Sequence, residues 1–111
     1  MSDMINNLQA MLDAGQDNAL LRFTLGSQLF GTGEIEAALE HLRSAVAQDP
    51  GYSAAWKVLG KVLQENGDAA GARDAYRAGI ATAKQKGDMQ AAREMEVFLK
   101  RAEKLLAGDG Q

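Results

Sequence analysis

Apolar residues recur at three- and four-residue intervals along most of this chain, and glycine-centred breaks separate the runs. Leu21, Leu25 and Leu29 form one stripe, Ala38, Leu42 and Ala45 the next, and Gly31, Thr32 and Gly33 stand between them. That spacing puts the apolar positions on one face of a helix, and the break folds two helices into a hairpin. Thirty-four residues later the pattern returns. Leu25, Gly26, Leu29, Gly33 and Ala38 recur as Leu59, Gly60, Leu63, Gly67 and Ala72, and Arg43 and Ala47 recur as Arg77 and Ala81. A fixed period of this length signals stacked units that bury their apolar faces against one another and leave one long face free.

Gly26 and Gly60 fall in the middle of the first helix of each pair. Glycine there costs about 1 kcal/mol relative to alanine, so a neighbouring helix is expected to need the missing side-chain volume. Gly33 and Gly67 each precede an acid, Glu34 or Asp68, which predicts a left-handed helix stop followed by an N-cap or first-turn carboxylate. The flanks are helical without the period. Met4, Ile5, Leu8, Met11 and Leu12 predict an amphipathic helix over 3–14 that covers the first unit. Asp88, after Gly87, is the expected N-cap of a helix over 88–107 that shields the last unit. Its apolar stripe is Ala92, Met95, Leu99, Ala102 and Leu106, with Phe98 and Leu105 beside it. Glu94, Glu96, Lys100, Arg101, Glu103 and Lys104 fall on a face read as solvated. Residues 108–111 carry nothing apolar to tie them down and are expected to fray.

The repeated unit resembles the tetratricopeptide repeat, whose pattern runs tryptophan, leucine-glycine and tyrosine in one helix, then alanine, phenylalanine and proline in the next. In the second unit Trp56, Leu59 and Gly60 stand at that spacing, Leu63 replaces the tyrosine, and Ala72 and Tyr76 fill the alanine and aromatic slots. In the first unit Leu25, Gly26, Leu29, Ala38, Leu42, Ala45 and Pro50 are in register, but Arg22 stands where the tryptophan belongs. Gly79 replaces a usual alanine and Lys84 the proline, so the last repeat helix is expected to run through Gln85 to a stop at Gly87. Continued register puts Arg93, Glu94 and Arg101 in leucine and glycine slots, so a third full repeat is not expected. The resemblance covers about residues 19–86. It implies an all-α fold, a right-handed superhelical stack of antiparallel helix hairpins with about six helices. The plan is a single domain over 1–111 with repeats at 19–52 and 53–86. Trp56 in its consensus slot is expected to pack as core rather than to stack on a ligand.

Composition narrows the chemistry. The chain has 111 residues and no cysteine, enough to bury a core unaided and nothing to form disulfides, thiolate nucleophiles or thiolate metal sites. Formal charge is -3, which disfavours generic nucleic-acid binding. It divides unevenly: residues 1–49 hold seven acids and two bases, residues 50–111 eight acids and ten bases. An anionic partner would therefore prefer the second half. No apolar run reaches the ~20 residues that span a bilayer, and the expectation is a cytoplasmic protein with no membrane partner. His41 is the only histidine and is read as a surface helix residue without a nucleophile beside it. Gly31-Thr32-Gly33 lacks the lysine and hydroxyl of a phosphate loop, and Glu34, Glu36 and Glu40 suit helix N-terminal turns better than a cation site. No enzyme activity, metal or cofactor is assigned.

The resemblance also implies where a partner would lie, since the first helix of each repeat lines the concave surface. Carried over, the inward slots are Leu20, Phe23, Thr24, Ser27 and Phe30 in the first unit and Ala54, Lys57, Val58, Lys61 and Gln64 in the second. Lys57 and Lys61, four apart on one helical face, would meet an acidic side chain or terminal carboxylate while Phe23 and Phe30 hold an apolar anchor. The competing reading is that the lysines are merely solvated and the phenylalanines pack beneath a flanking helix. Chaperone adaptors of the family grip a C-terminal carboxylate through lysine, asparagine and arginine; Phe23, Ser27 and Val58 occupy three of those slots here, which disfavours that function. Two readings follow. One is a non-catalytic adaptor holding a peptide segment of an unidentified partner with acidic and apolar side chains. The other is an assembly module, a homo-oligomer or a docked subunit, that pairs through Met95, Phe98, Leu99, Leu105 and Leu106.

Overall fold

A computed structural model describes residues 3–108 as six helices, with no strand among the described residues. They are α1 (Asp3–Asp13), α2 (Ala19–Gly31), α3 (Ile35–Gln48), α4 (Ser53–Glu65), α5 (Ala69–Gln85) and α6 (Met89–Ala107). One motif ends four of them. Gly15, Gly33, Gly67 and Gly87 have φ of 94°, 82°, 82° and 76°, the left-handed stop that the sequence predicts at Gly33 and Gly67. The N–H groups of Gly33 and Glu34 donate to Phe30 and Leu29 carbonyls at 3.0 and 2.9 Å, a Schellman pair that satisfies two orphan carbonyls. Gly67 with Asp68 and Gly87 with Asp88 repeat the pair on Gln64 with Leu63 and on Lys84 with Ala83. Gly108, expected to fray, instead caps α6 at φ 81°, and its N–H reaches the Leu105 carbonyl at 3.2 Å. The rest of that tail, 109–111, lies outside the described residues.

The next helices start on caps of unequal quality. Asp68 and Asp88 accept from the N–H of Gly71 and Ala91, at 2.8 and 3.1 Å, and Asn18 accepts from Leu21 at 2.8 Å. Glu34 makes no such bond; its carboxylate accepts from Thr32 Oγ1. The junction of α3 and α4 has no glycine stop. Pro50 ends the helix there, and its carbonyl accepts from Trp56 Nε1 at 2.7 Å, which holds the half-buried indole against the core.

Three glycines explain how closely the helices approach. A Cβ on Gly26 would fall 2.7 Å from Leu42 Cγ, and one on Gly60 would fall 2.5 Å from Tyr76 Cε1. The missing volume expected at both positions is filled by those side chains, which are wholly buried. Gly79 repeats the device between α5 and α6, where a Cβ would fall 2.5 Å from Met95 Sδ. Its departure from the consensus alanine therefore makes room for Met95. Hairpin contacts join α2 to α3, α4 to α5 and α5 to α6, and α3 packs on α4. Because α2 also touches α4, and α4 touches α6, these three make an inner row, with α3 and α5 behind. The shortest dimension, 19 Å, suits two helix layers. α1 packs on α2 alone, through Ile5, Leu8 and Leu12, and touches neither α4 nor α6.

Candidate functional site

The inner row carries two clefts. One, of about 320 Å³, lies between the first halves of α4 and α6 and is lined by Ala54 and Lys57 facing Ala91 and Glu94. The other, of about 380 Å³, runs across the far ends of the row, where Phe30, Lys61 and Gln64 meet Phe98 and Arg101. The inward slots carried over from the repeat lie on α2 and α4, and none lies on α6. Gly87-Asp88 repeats Gly67-Asp68 and so marks a helix start, and contact with α4 gives α6 the third inner place rather than a merely shielding one.

The ten inward slots separate. Ala54 and Lys57 line the first cleft, and Phe30, Lys61 and Gln64 line the second. Phe23 packs on Tyr52, ring centroids 4.9 Å apart, and lines neither. Leu20 stands 64% exposed on the first turn of α2, and Thr24 Oγ1 donates to its carbonyl. Ser27 Oγ is buried without a hydrogen-bond partner, and Val58 packs against the core. The structure thus brings five of the ten to open clefts.

Charge in the two clefts differs. Lys57 Nζ lies 3.5 Å from Glu94 Oε1, so its charge is met from α6. Lys61 Nζ lies 4.9 Å from the centroid of the Phe98 ring, and the Arg101 guanidinium 5.7 Å from the same centroid. Phe98 also stacks on Tyr76 at 5.7 Å. Burial pushes the Tyr76 phenol up to about 12, so it stays neutral throughout the working range. Glu65 lines this cleft too, yet neither Lys61 nor Arg101 joins any ion pair among the described residues. Two cations thus lie over one aromatic ring at this cleft.

His41 is not on the surface. It is 7% exposed, and its Nδ1 lies 3.0 Å from Arg22 Nη1. Arginine only donates, so Nδ1 accepts and the neutral ring carries its proton on Nε2. Burial, and then the Arg22 charge, hold the imidazole below its ordinary value. Arg22 also forks onto Asp17, Nε and Nη2 donating at 2.8 and 2.9 Å, and Gln48 donates to the same carboxylate at 2.9 Å. These hydrogen bonds, Arg22 first and Gln48 second, hold the Asp17 carboxyl well below the usual carboxylate range. The arginine in the tryptophan slot therefore ties the loop before α2 to both helices of the first hairpin. The sequence expectation failed because helical spacing counts only apolar residues, and a polar pair can satisfy itself inside.

The charged face of α6 is exposed as expected at Glu94, Lys100, Arg101, Glu103 and Lys104. Its acids are also engaged: Glu94, Glu96 and Glu103 pair with Lys57, Lys84 and Arg77 on the neighbouring helices. Of the five residues named for self-pairing, Met95 is 1% exposed and Phe98 and Leu99 are half-buried, so these three are spent within the fold, while Leu105 stands 51% exposed. Leu106, placed on the buried stripe, is 44% exposed because it lies in the last turn, near the α4–α5 turn.

Known proteins share this arrangement. The tetratricopeptide repeat family profile matches residues 29–95. A TPR repeat-containing protein of Pseudomonas aeruginosa is 54% identical over 101 residues, 91% of this chain and 96% of that protein. A Bordetella parapertussis protein solved in solution superposes with TM-score 0.79 at 50% identity, over 96% of this chain and 94% of its own. A tetratricopeptide repeat domain protein of Salinibacter ruber gives 0.74 at 25% identity, over 80% and 99%. With two hairpins in register, glycines that admit the facing helices and an inner row of three, the chain belongs to the tetratricopeptide repeat family, whose members are in general protein–protein interaction modules.

Proposed function

We propose that this protein is a non-catalytic adaptor that holds a peptide segment of a partner along the inner row. The second cleft is the centre of the site. An acidic side chain of the segment lies against Lys61 and Arg101, and an apolar neighbour enters between Phe30 and Phe98. The observation that carries this reading is the pair of cations on the Phe98 ring, neither in an ion pair among the described residues. Lys57 contributes less, because Glu94 already meets its charge. The absence of a catalytic role is supported by His41, which is enclosed with Arg22 and faces neither cleft. Such a site is small, so affinity in the micromolar range is expected unless further segments add area.

A displayed library of random peptides tests the proposal. Selection should enrich Asp or Glu next to an aliphatic or aromatic residue, and a Lys61→Glu, Arg101→Glu variant of equal helicity should lose those peptides. Enrichment without acids, or binding that survives the double substitution, would overturn the assignment.

A further inference from the structure

We propose that copies of this protein stack head to tail, the outward face of α6 in one copy seating on α1 of the next. The observation is where apolar surface is left exposed. Met4 and Met11 of α1 and Leu20 in the first turn of α2 are 47%, 41% and 64% exposed. Met89, Val97, Leu105 and Leu106 of α6 are 45%, 52%, 51% and 44% exposed. Among the described residues these seven are all the large apolar side chains so exposed, and none lies on α3, α4 or α5. Scattered exposed apolar groups need no explanation, but these fall only on the first two helices and the last, with Leu105 and Leu106 beside the α4–α5 turn, and such segregation to the two ends of a stack marks contact surfaces.

Charge decides which faces meet. Glu94, Glu96 and Glu103 turn aside to Lys57, Lys84 and Arg77, so the outward face of α6 keeps Arg93, Lys100 and Lys104, which join no ion pair among the described residues, at helical spacing around Val97. α1 carries Asp3 and Asp13 and no base. Two α6 faces brought together would set three cations against three, and two α1 faces acid against acid. Only α6 against α1 opposes unlike charges. A second copy is therefore the occupant that fits, and because the two surfaces differ, the contact is heterologous and does not close into a dimer. The inner clefts take no part in it, so it is independent of peptide binding.

Sedimentation velocity on the intact chain tests this, over concentrations from about 10 µM to about 1 mM, where a contact of one helix face on another should associate. Expected is a weight-average mass that rises beyond dimer with concentration, and that about 0.5 M NaCl lowers by screening. Val97→Glu spoils one surface and Met11→Lys the other. Each variant alone should be monomeric, and an equimolar mixture should associate, since it still contains one intact surface of each kind. Circular dichroism checks both folds; if Val97→Glu loses helicity, Lys100→Glu with Lys104→Glu replaces it with the same expectations. A wild type that stays monomeric throughout, association that survives either single variant, or a mixture that remains monomeric would each overturn the proposal.

Discussion

Tyr76 of α5 lies against the backbone of Gly60 in α4, so closely that a Cβ added to Gly60 would fall 2.5 Å from ring atom Cε1. The ring is 1% exposed and cannot swing out of the way. Helix propensity alone would make Gly60→Ala stabilising by about 1 kcal/mol, whereas overpacking a rigid core costs about 1–3 kcal/mol. Overpacking should win, and the substitution should lower the stability measured by urea unfolding. Gly31 in α2 is the control, because nothing lies within 4 Å of its Cβ position. There, alanine should be neutral or stabilising by about 0.5 kcal/mol.

His41 and Arg22 predict a pH dependence. The folded imidazole is held below its ordinary 6.5 by burial and by the guanidinium. As pH falls the unfolded chain therefore takes up the proton first. The neutral histidine contributes stability that is complete above about pH 6.5 and is lost as pH falls toward its depressed folded value. Glu40 and Asp17 oppose the shift without reversing it. Melting temperature should drop between pH 7.5 and 5, and His41→Gln, which keeps an acceptor but cannot titrate, should flatten that slope. Asp17, also depressed, adds a second loss only below about pH 4. An equal slope in wild type and His41→Gln would remove His41 as its source.

How much of this was legible in the sequence depends on what repetition can encode. Gly33 and Gly67 repeat because a left-handed stop admits little else, and Gly26 and Gly60 repeat because each must admit a large side chain from the facing helix. Those constraints recur with the unit, so period and residue type expose them. The Arg22 network occurs once and joins residues 17, 22, 41 and 48 across three segments, which no period reveals. The inner cleft was half legible for a related reason. Lys61 and Phe30 fall in repeat slots, whereas Phe98 and Arg101 lie in α6, where the leucine-glycine signature has lapsed but the packing role persists. Fold survives loss of consensus there because Gly79 still admits Met95.

The helix caps make a graded set. Asp68 and Asp88 each satisfy an otherwise orphan N–H, at 2.8 and 3.1 Å, while Glu34 stands in the same place after its glycine and satisfies none. Replacing either aspartate by alanine should cost about 1 kcal/mol. Glu34→Ala should cost only a few tenths, the residual attraction of an acid to a helix N-terminus. Chemical denaturation of the three variants in parallel checks the order, and a Glu34 loss equal to the others would show that charge rather than hydrogen bonding sets the cap energy.

Glu94 holds Lys57 at 3.5 Å across the first cleft, in a pair that is 30% exposed on the lysine side and 48% on the acid. A pair that open contributes no more than about 0.5 kcal/mol to folding, so Glu94→Gln should melt within a degree or two of the wild type. Its effect on binding should be larger in proportion. Removing the acid takes a repulsive charge from the path of an acidic peptide and leaves Lys57 free to join Lys61, four residues along the same helix face. If the peptide runs along the inner row from the second cleft into the first, affinity for an acidic segment should rise by about fivefold at low salt, a gain of roughly 1 kcal/mol. It should shrink as ionic strength increases. Titration of one selected peptide into both proteins measures it, and unchanged affinity would confine the segment to the cleft at Lys61 and Arg101.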